Sequence, residues 1–457
     1  MSQEHSSSRS SVSRIDASIS VPARLFIISS IVWLLVASVL SLIVALKLQV
    51  PSFLSDCAWF TYGRLEVLQR NAFIYGWASN ALFALNLWIM SSLARFELKS
   101  SWLLVLGGLV WNLTLTYGLI QVLLGQLNGF ALLEMPKEVA PAMVVAFLFA
   151  ALWPAVAFAC RPSGNVFVSQ WYIIGATFVF PVITVVAQLM LLWCPTLGVM
   201  QALVHSWFYQ NLILLWLGGS ALSAIYYFIA KESGRTISAY YLATVGFWTY
   251  FLFASWTGPA TLLGAPIPVW LQSVGVVAAL MMLVPIVITA VNFFGTLAPR
   301  SGIAQSWNNT TLRFVLVGTV SFIVSALLSV VFSTRSLNAV VRFTEFTQAQ
   351  EHLAVYSFVS MVIFGAAYCI LPRLTGSFWP SAKLVHLHFW ACTLGSLLFV
   401  VAGLNHGWEA HGRTDFAVSA LPGLVAAALL FLGHFAFALN AFGMLTAEEA
   451  PSSRRSY

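Results

Sequence analysis

The chain is poor in charge: Asp, Glu, Lys and Arg make up 8% of its 457 residues, and only 14 of them are acidic. Soluble domains carry about 25% charged residues, so a water-soluble fold is excluded for most of the chain. Cysteine is scarce as well, and Cys57, Cys160, Cys194, Cys369 and Cys392 are scattered without a pairing pattern or a C-x-x-C-H sequence. A disulfide framework and covalent c-type haem attachment are thereby excluded. The net charge of +7 comes without a basic block of the kind that binds nucleic acid, and is read as membrane topology and attraction to anionic lipid.

What the chain has in abundance is apolar sequence, 60% of all residues. A helix crosses a hydrocarbon core of about 30 Å with roughly 20 mostly apolar residues. Runs of that kind lie near 25–48, 71–94, 102–124, 140–160, 168–193, 200–229, 237–260, 267–297, 312–333, 352–372, 386–404 and 421–445. The expected fold is therefore an all-α integral membrane bundle of twelve transmembrane helices, forming one domain over 23–446. A Ser-rich N-terminal tail (1–22) is expected to be disordered, and 447–457 forms a short C-terminal tail. With both ends in the cytoplasm, cytoplasmic segments hold fourteen Lys and Arg and the opposite loops seven, which sets the expected orientation. No fixed-period repeat stands out.

Ionisable groups inside such spans are costly and point to function. His205, His352, His388 and His434 fall in or at the edge of helices, as do Glu351 and the tyrosine pairs Tyr226, Tyr227 and Tyr240, Tyr241. Any one of them is equally readable as a hydrogen-bonded core residue, so an arrangement is needed before they imply chemistry.

Several segments, in order, resemble subunit I of cbb-type haem-copper cytochrome c oxidases: Tyr62 to Phe83, Ser169 to Tyr172, Gln201 to Asn211, Ala224 to Phe228, Tyr240 to Leu242, Gly264 to Trp270, His352 to Phe358, Met361 to Ala366, Pro372 to Gly376 and His388 to Trp390. The resemblance implies the twelve-helix subunit I fold, a bacterial cytoplasmic (inner) membrane location, respiratory electron transfer, and membrane-anchored c-type cytochromes among the partner subunits. It also implies two haems and one copper held by six histidines. Imidazole serves both metals through their redox states, whereas an amide or a methyl group does not.

On the family's pattern, one low-spin haem ligand falls on Gln69 and one copper ligand on Gln210. The other two copper ligands fall on Ala260 and Thr261, the active-site tyrosine on Ala254, and the high-spin haem ligand on Gln350. Only His352, a low-spin position, keeps its imidazole. Where the family has small residues beside the haem, Trp77-Ala78-Ser79-Asn80 stands here, which suggests a refilled slot. Gln69 and His352 are expected to face each other across the former low-spin site, bonded directly or through water. Tyr226, Tyr227, Tyr240 and Tyr241 match the family's polar proton route, which here has no evident destination.

The expectation is a redox-inactive relative serving as a membrane scaffold or accessory subunit, with no cofactor, or at most one haem at His352, alone or with His388. Two alternatives stay open. One is a working terminal oxidase or nitric oxide reductase subunit with shifted ligands; the other is a proton or solute transporter using Glu351 and His352.

Overall fold

The computed structural model describes residues 2–298, 302–410 and 420–446. Among the described residues twelve helices of at least 15 residues follow one another: α1 (Ser2–Gln49), α2 (Tyr62–Ala94), α3 (Trp102–Leu123), α4 (Val139–Ala159), α5 (Val168–Trp193), α6 (Val199–Ser233), α7 (Tyr240–Ala254), α8 (Val269–Leu297), α9 (Thr310–Phe332), α10 (Glu345–Thr375), α11 (Ala382–Ala410) and α12 (Leu421–Thr446); Gly302–Asn308 and Arg335–Val341 are short helices between them. Among the described residues eleven are long and apolar enough to cross a membrane, and α7 is a shorter twelfth of 15 residues, continued by the 3₁₀ turn Gly258–Leu262. The expected membrane bundle is therefore observed. Helix α8 is interrupted at Met282, between Val269–Met281 and Leu283–Leu297. Pro285 accounts for the break, because it has no N–H for the Met281 carbonyl and its ring crowds that oxygen.

The segment expected to be a disordered tail instead extends α1 at its N-terminal end. Burial explains this: Ile15 and Ile19 face the core, the Trp88 indole donates to Asp16 Oδ1 at 3.0 Å, and the backbone N–H of Leu98 donates to Ser18 Oγ at 3.1 Å. The C-terminal tail and His411 lie outside the described residues.

Three helices form the centre. The most apolar windows of α2 and α6 are 94% buried and that of α10 is 83% buried, whereas no other span exceeds 50%. Each central helix also contains a π-helical stretch: Ala72–Ala78, Leu212–Gly218 and Leu353–Ser360. These begin 140 and 141 residues apart, so the chain does repeat, in a threefold way that the sequence did not display. Such stretches frequently mark functional positions. Carbonyls within them also accept from side chains: Ser79 Oγ donates to Ile74 O (2.9 Å), Trp111 Nε1 to Tyr75 O (2.9 Å), and Tyr250 OH to Leu214 O (2.8 Å).

Three buried serines join the central helices through α2, twice to α6 and once to α10. Ser79, Ser220 and Ser360 are fully buried, one on each helix, and accept from Trp216 Nε1 (3.3 Å), Asn86 Nδ2 (3.0 Å) and Trp77 Nε1 (2.9 Å).

Candidate functional site

Of the positions that the resemblance assigns to metal ligands, Gln69, Gln210, Gln350 and His352 lie just N-terminal to the three π stretches, and Ala260 and Thr261 lie in the 3₁₀ turn after α7. Gln69 is half-buried on α2. The two residues after it are committed elsewhere: Arg70 Nη2 and Asn71 Nδ2 donate to the two oxygens of Glu134, at 2.5 and 2.9 Å, and Arg70 Nη1 reaches Glu66 at 3.2 Å. Glu134 sits at 3% exposure in the loop between α3 and α4, and that loop is pinned by Tyr75 OH on Leu132 O (2.6 Å) and by the His205 ring on Ala131 O (3.1 Å). The sequence reading missed Glu134, which shares its loop with Lys137 and Glu138 and so carried no distinct signal.

His352 does not bond Gln69. Its Nε2 pairs with Ser396 Oγ on α11 at 3.1 Å, and its ring is stacked between Tyr356 (5.0 Å) and Phe399 (4.2 Å). The expected direct bond fails because His352 turns toward α11. Glu351 has a different partner, accepting from Tyr209 OH of α6 at 3.3 Å. Adjacent helical residues point about 100° apart, so the two side chains serve different neighbours.

The low-spin region is filled by protein. Trp77 is 1% exposed and lies against Phe364 with ring centres 4.9 Å apart. Tyr356 OH meets His434 Nε2 at 2.7 Å, and His434 Nδ1 meets Ser38 Oγ at 2.5 Å, while Ser38 also donates to Leu34 O at 2.6 Å. The assignment that satisfies all four groups puts the His434 proton on Nδ1, so that Nε2 accepts from the tyrosine. His388 is buried among Phe314, Phe364 and Phe437 and its Nδ1 pairs with Tyr368 OH at 2.8 Å, leaving Nε2 without a partner.

Around the former copper positions, Ala254 closes α7 and is fully buried. Ala260 and Thr261 lie in the 3₁₀ turn, where Thr261 Oγ1 bonds Gly258 O (2.8 Å) and Ser206 Oγ of α6 (2.5 Å). Gln350 Nε2 donates to Ser325 O on α9 at 3.3 Å. Gln210, Gln350 and Glu351 line a cavity of about 50 Å³ between α6, α8, α9 and α10. At roughly 10–15 Å³ per water centre, that space suits a few waters.

The four tyrosines of the expected proton route do not line up. Tyr226 is buried with an unpartnered hydroxyl, Tyr227 accepts from Lys231 Nζ at 2.6 Å, Tyr240 bonds the backbone of Val166 and Val168, and Tyr241 is 75% exposed. Tyr226 instead stacks on Tyr172 (5.9 Å), and Tyr172 approaches Tyr250 (6.1 Å), neither of which the sequence singled out.

The residues at the ligand positions therefore do not fit two haems and a copper. Five carry amide, methyl or hydroxyl groups, and the sixth, His352, is engaged with Ser396. Among the described residues no three His, Cys, Asp or Glu side chains converge in a way that could hold a metal ion.

The lineage is nevertheless plain. Residues 21–440 match the model of the family described as cytochrome c and quinol oxidase polypeptide I, and the chain belongs to that family. It is similar to the cbb3-type cytochrome c oxidase subunit CcoN1 of Stutzerimonas stutzeri, 26% identical over 91% of this chain and 93% of that protein. It is 25% identical to a cytochrome c oxidase subunit 1 homolog of Azorhizobium caulinodans, over 94% of this chain and 83% of the relative. A haem-copper terminal oxidase solved as a dimer by cryo-EM has the same fold, with a TM-score of 0.68, 15% identity, and coverage of 98% of this chain and 86% of that one.

Proposed function

We propose that this chain is a redox-inactive homologue of cbb-type oxidase subunit I, acting as a membrane scaffold or accessory subunit in a bacterial inner membrane, with both termini in the cytoplasm. The observation that carries the reading is the treatment of the ligand positions. Five of the six imidazoles are replaced, and the space beside them is occupied by hydrogen-bonded side chains such as Trp77 on Ser360 and Tyr356 on His434. An emptied haem slot would cost stability in proportion to its volume, about 24 cal/mol per Å³, so refilling is the expected response of a chain that must fold without the cofactor. Its partners are other membrane subunits, by analogy with relatives named as oxidase subunits, and anionic lipid at the basic face.

The test is an absorption spectrum of the purified protein, oxidised and dithionite-reduced, together with metal analysis. We expect neither a haem Soret band nor copper. Two haems and one copper per chain would make it an oxidase or a nitric oxide reductase with ligands elsewhere, and a single haem would direct attention to His352.

A further inference from the structure

Arg313, in the first turn of α9, is a buried cation without a counter-ion. It is 6% exposed, and a guanidinium does not give up its proton. Its neighbours are the Phe389 ring, whose centre lies 4.3 Å from the guanidinium carbon, and His386 on α11, to whose Nδ1 the arginine Nη1 donates at 3.4 Å. The Nε group is buried with no partner at all. No carboxylate among the described residues comes within ion-pair distance. Glu232, the acid at this end of α6, is spent on Asn309 Nδ2 (3.0 Å) and Cys369 Sγ (3.4 Å). The helix dipole adds to the cost, since the first turn of a helix is its positive end. The contact with His386 also sets the start of α9 beside the start of α11, so two positive helix ends meet here. Lys383 precedes His386 by one turn on the same face, and both are exposed, which marks the side from which the guanidinium is reached. Beside them stand Trp307 and Trp390, half-exposed with ring centres 6.1 Å apart, the residue type that favours a membrane boundary.

We propose that Arg313, His386 and Lys383 hold the phosphodiester of an anionic phospholipid, whose chains lie along Trp307 and Trp390. A guanidinium matches phosphate oxygens with paired N–H donors, and basic pockets between spans on the cytoplasmic side suit such headgroups. The aromatic flank favours a lipid over soluble phosphate. The surrounding groups are cationic, so a zwitterionic headgroup, which brings an ammonium of its own, is disfavoured. The choice of the cytoplasmic leaflet rests on the orientation proposed above; the site itself does not.

The experiment is thermal unfolding of the full-length protein in detergent micelles doped with phosphatidylglycerol or phosphatidylcholine, and in a third series with inorganic phosphate alone, at constant ionic strength. Phosphatidylglycerol is expected to raise the melting temperature saturably, by about 2 °C or more, and the other two are not. The rise is expected to vanish in Arg313→Gln and to persist in Lys99→Gln, which removes a charge from another cytoplasmic loop. Equal responses to the two lipids, or a rise retained in Arg313→Gln, overturn the proposal. So does an equal loss in Lys99→Gln, which would mean attraction to the basic face as a whole, and so does a matching rise with inorganic phosphate, which would mean a soluble anion. Should Arg313→Gln fail to fold, Lys383→Gln decides: a half-saturating fraction of phosphatidylglycerol raised threefold or more supports the site, and an unchanged one overturns it. A fluorescent-protein fusion at the C-terminus reads the orientation, so failure of that reading is seen separately.

Discussion

The indole Nε1 of Trp77 donates a 2.9 Å hydrogen bond to Oγ of Ser360, tying α2 to α10 at the centre of the bundle. In the oxidase subunits that this chain resembles, those two helices are joined through a haem held between their histidines. Here the tie is made by two side chains of the chain itself.

Trp77→Ala should therefore be among the most damaging single substitutions. Loss of a fully buried Trp costs about 3–5 kcal/mol, and the orphaned Ser360 hydroxyl adds to it. Ser360→Ala leaves the buried Trp77 N–H without its acceptor and should cost less, about 1–3 kcal/mol. Thermal unfolding of both variants in one detergent measures the ratio, and equal losses would contradict the filling role assigned to Trp77.

Restoring an imidazole at Gln69 should not restore haem. In Gln69→His, His352 still faces Ser396 and Phe399, and Trp77 still packs on Phe364. No haem spectrum is expected on expression with added haem precursor; a bis-histidine spectrum in the single variant would show that the slot had stayed open.

Glu134→Gln should destabilise by about 1–3 kcal/mol, because Arg70 loses its buried carboxylate and keeps only the more exposed Glu66 as a charged partner. Pairing it with Arg70→Met should recover a large part of the loss. A double-mutant cycle on unfolding free energies checks this, and additive losses would mean that the two charges do not depend on each other.

Tyrosine hydroxyls should separate by partner. Tyr356→Phe strips the buried His434 Nε2 of its donor, at about 1–3 kcal/mol, whereas Tyr250→Phe leaves Leu214 O its backbone donor from Gly219 and should cost about 1 kcal/mol. Tyr226→Phe removes a hydroxyl with no protein partner and should lie within about 0.5 kcal/mol of the parent.

The apolar runs gave away the helices because membrane spans need length and little else, whereas the ligand positions come from the resemblance alone. The direction in which those residues face was hidden. His352 turns to α11 while Glu351 turns to α6, and the π stretches that set this orientation have no composition of their own. His434 looked like one more intramembrane histidine, since Ser38, its partner, is 396 residues away. The first helix was underestimated because its Ser-rich start is polar, although Ile15, Asp16 and Ile19 recur at helical spacing and meet α2 and the core.

The buried serine contacts have a consequence for biogenesis. Their three donors, Trp77, Asn86 and Trp216, are all encoded in the chain, so α2 can close on α6 and α10 as soon as they are inserted. On the proposed redox-inactive reading, a cell starved of haem and copper is then expected to accumulate this subunit at its usual level.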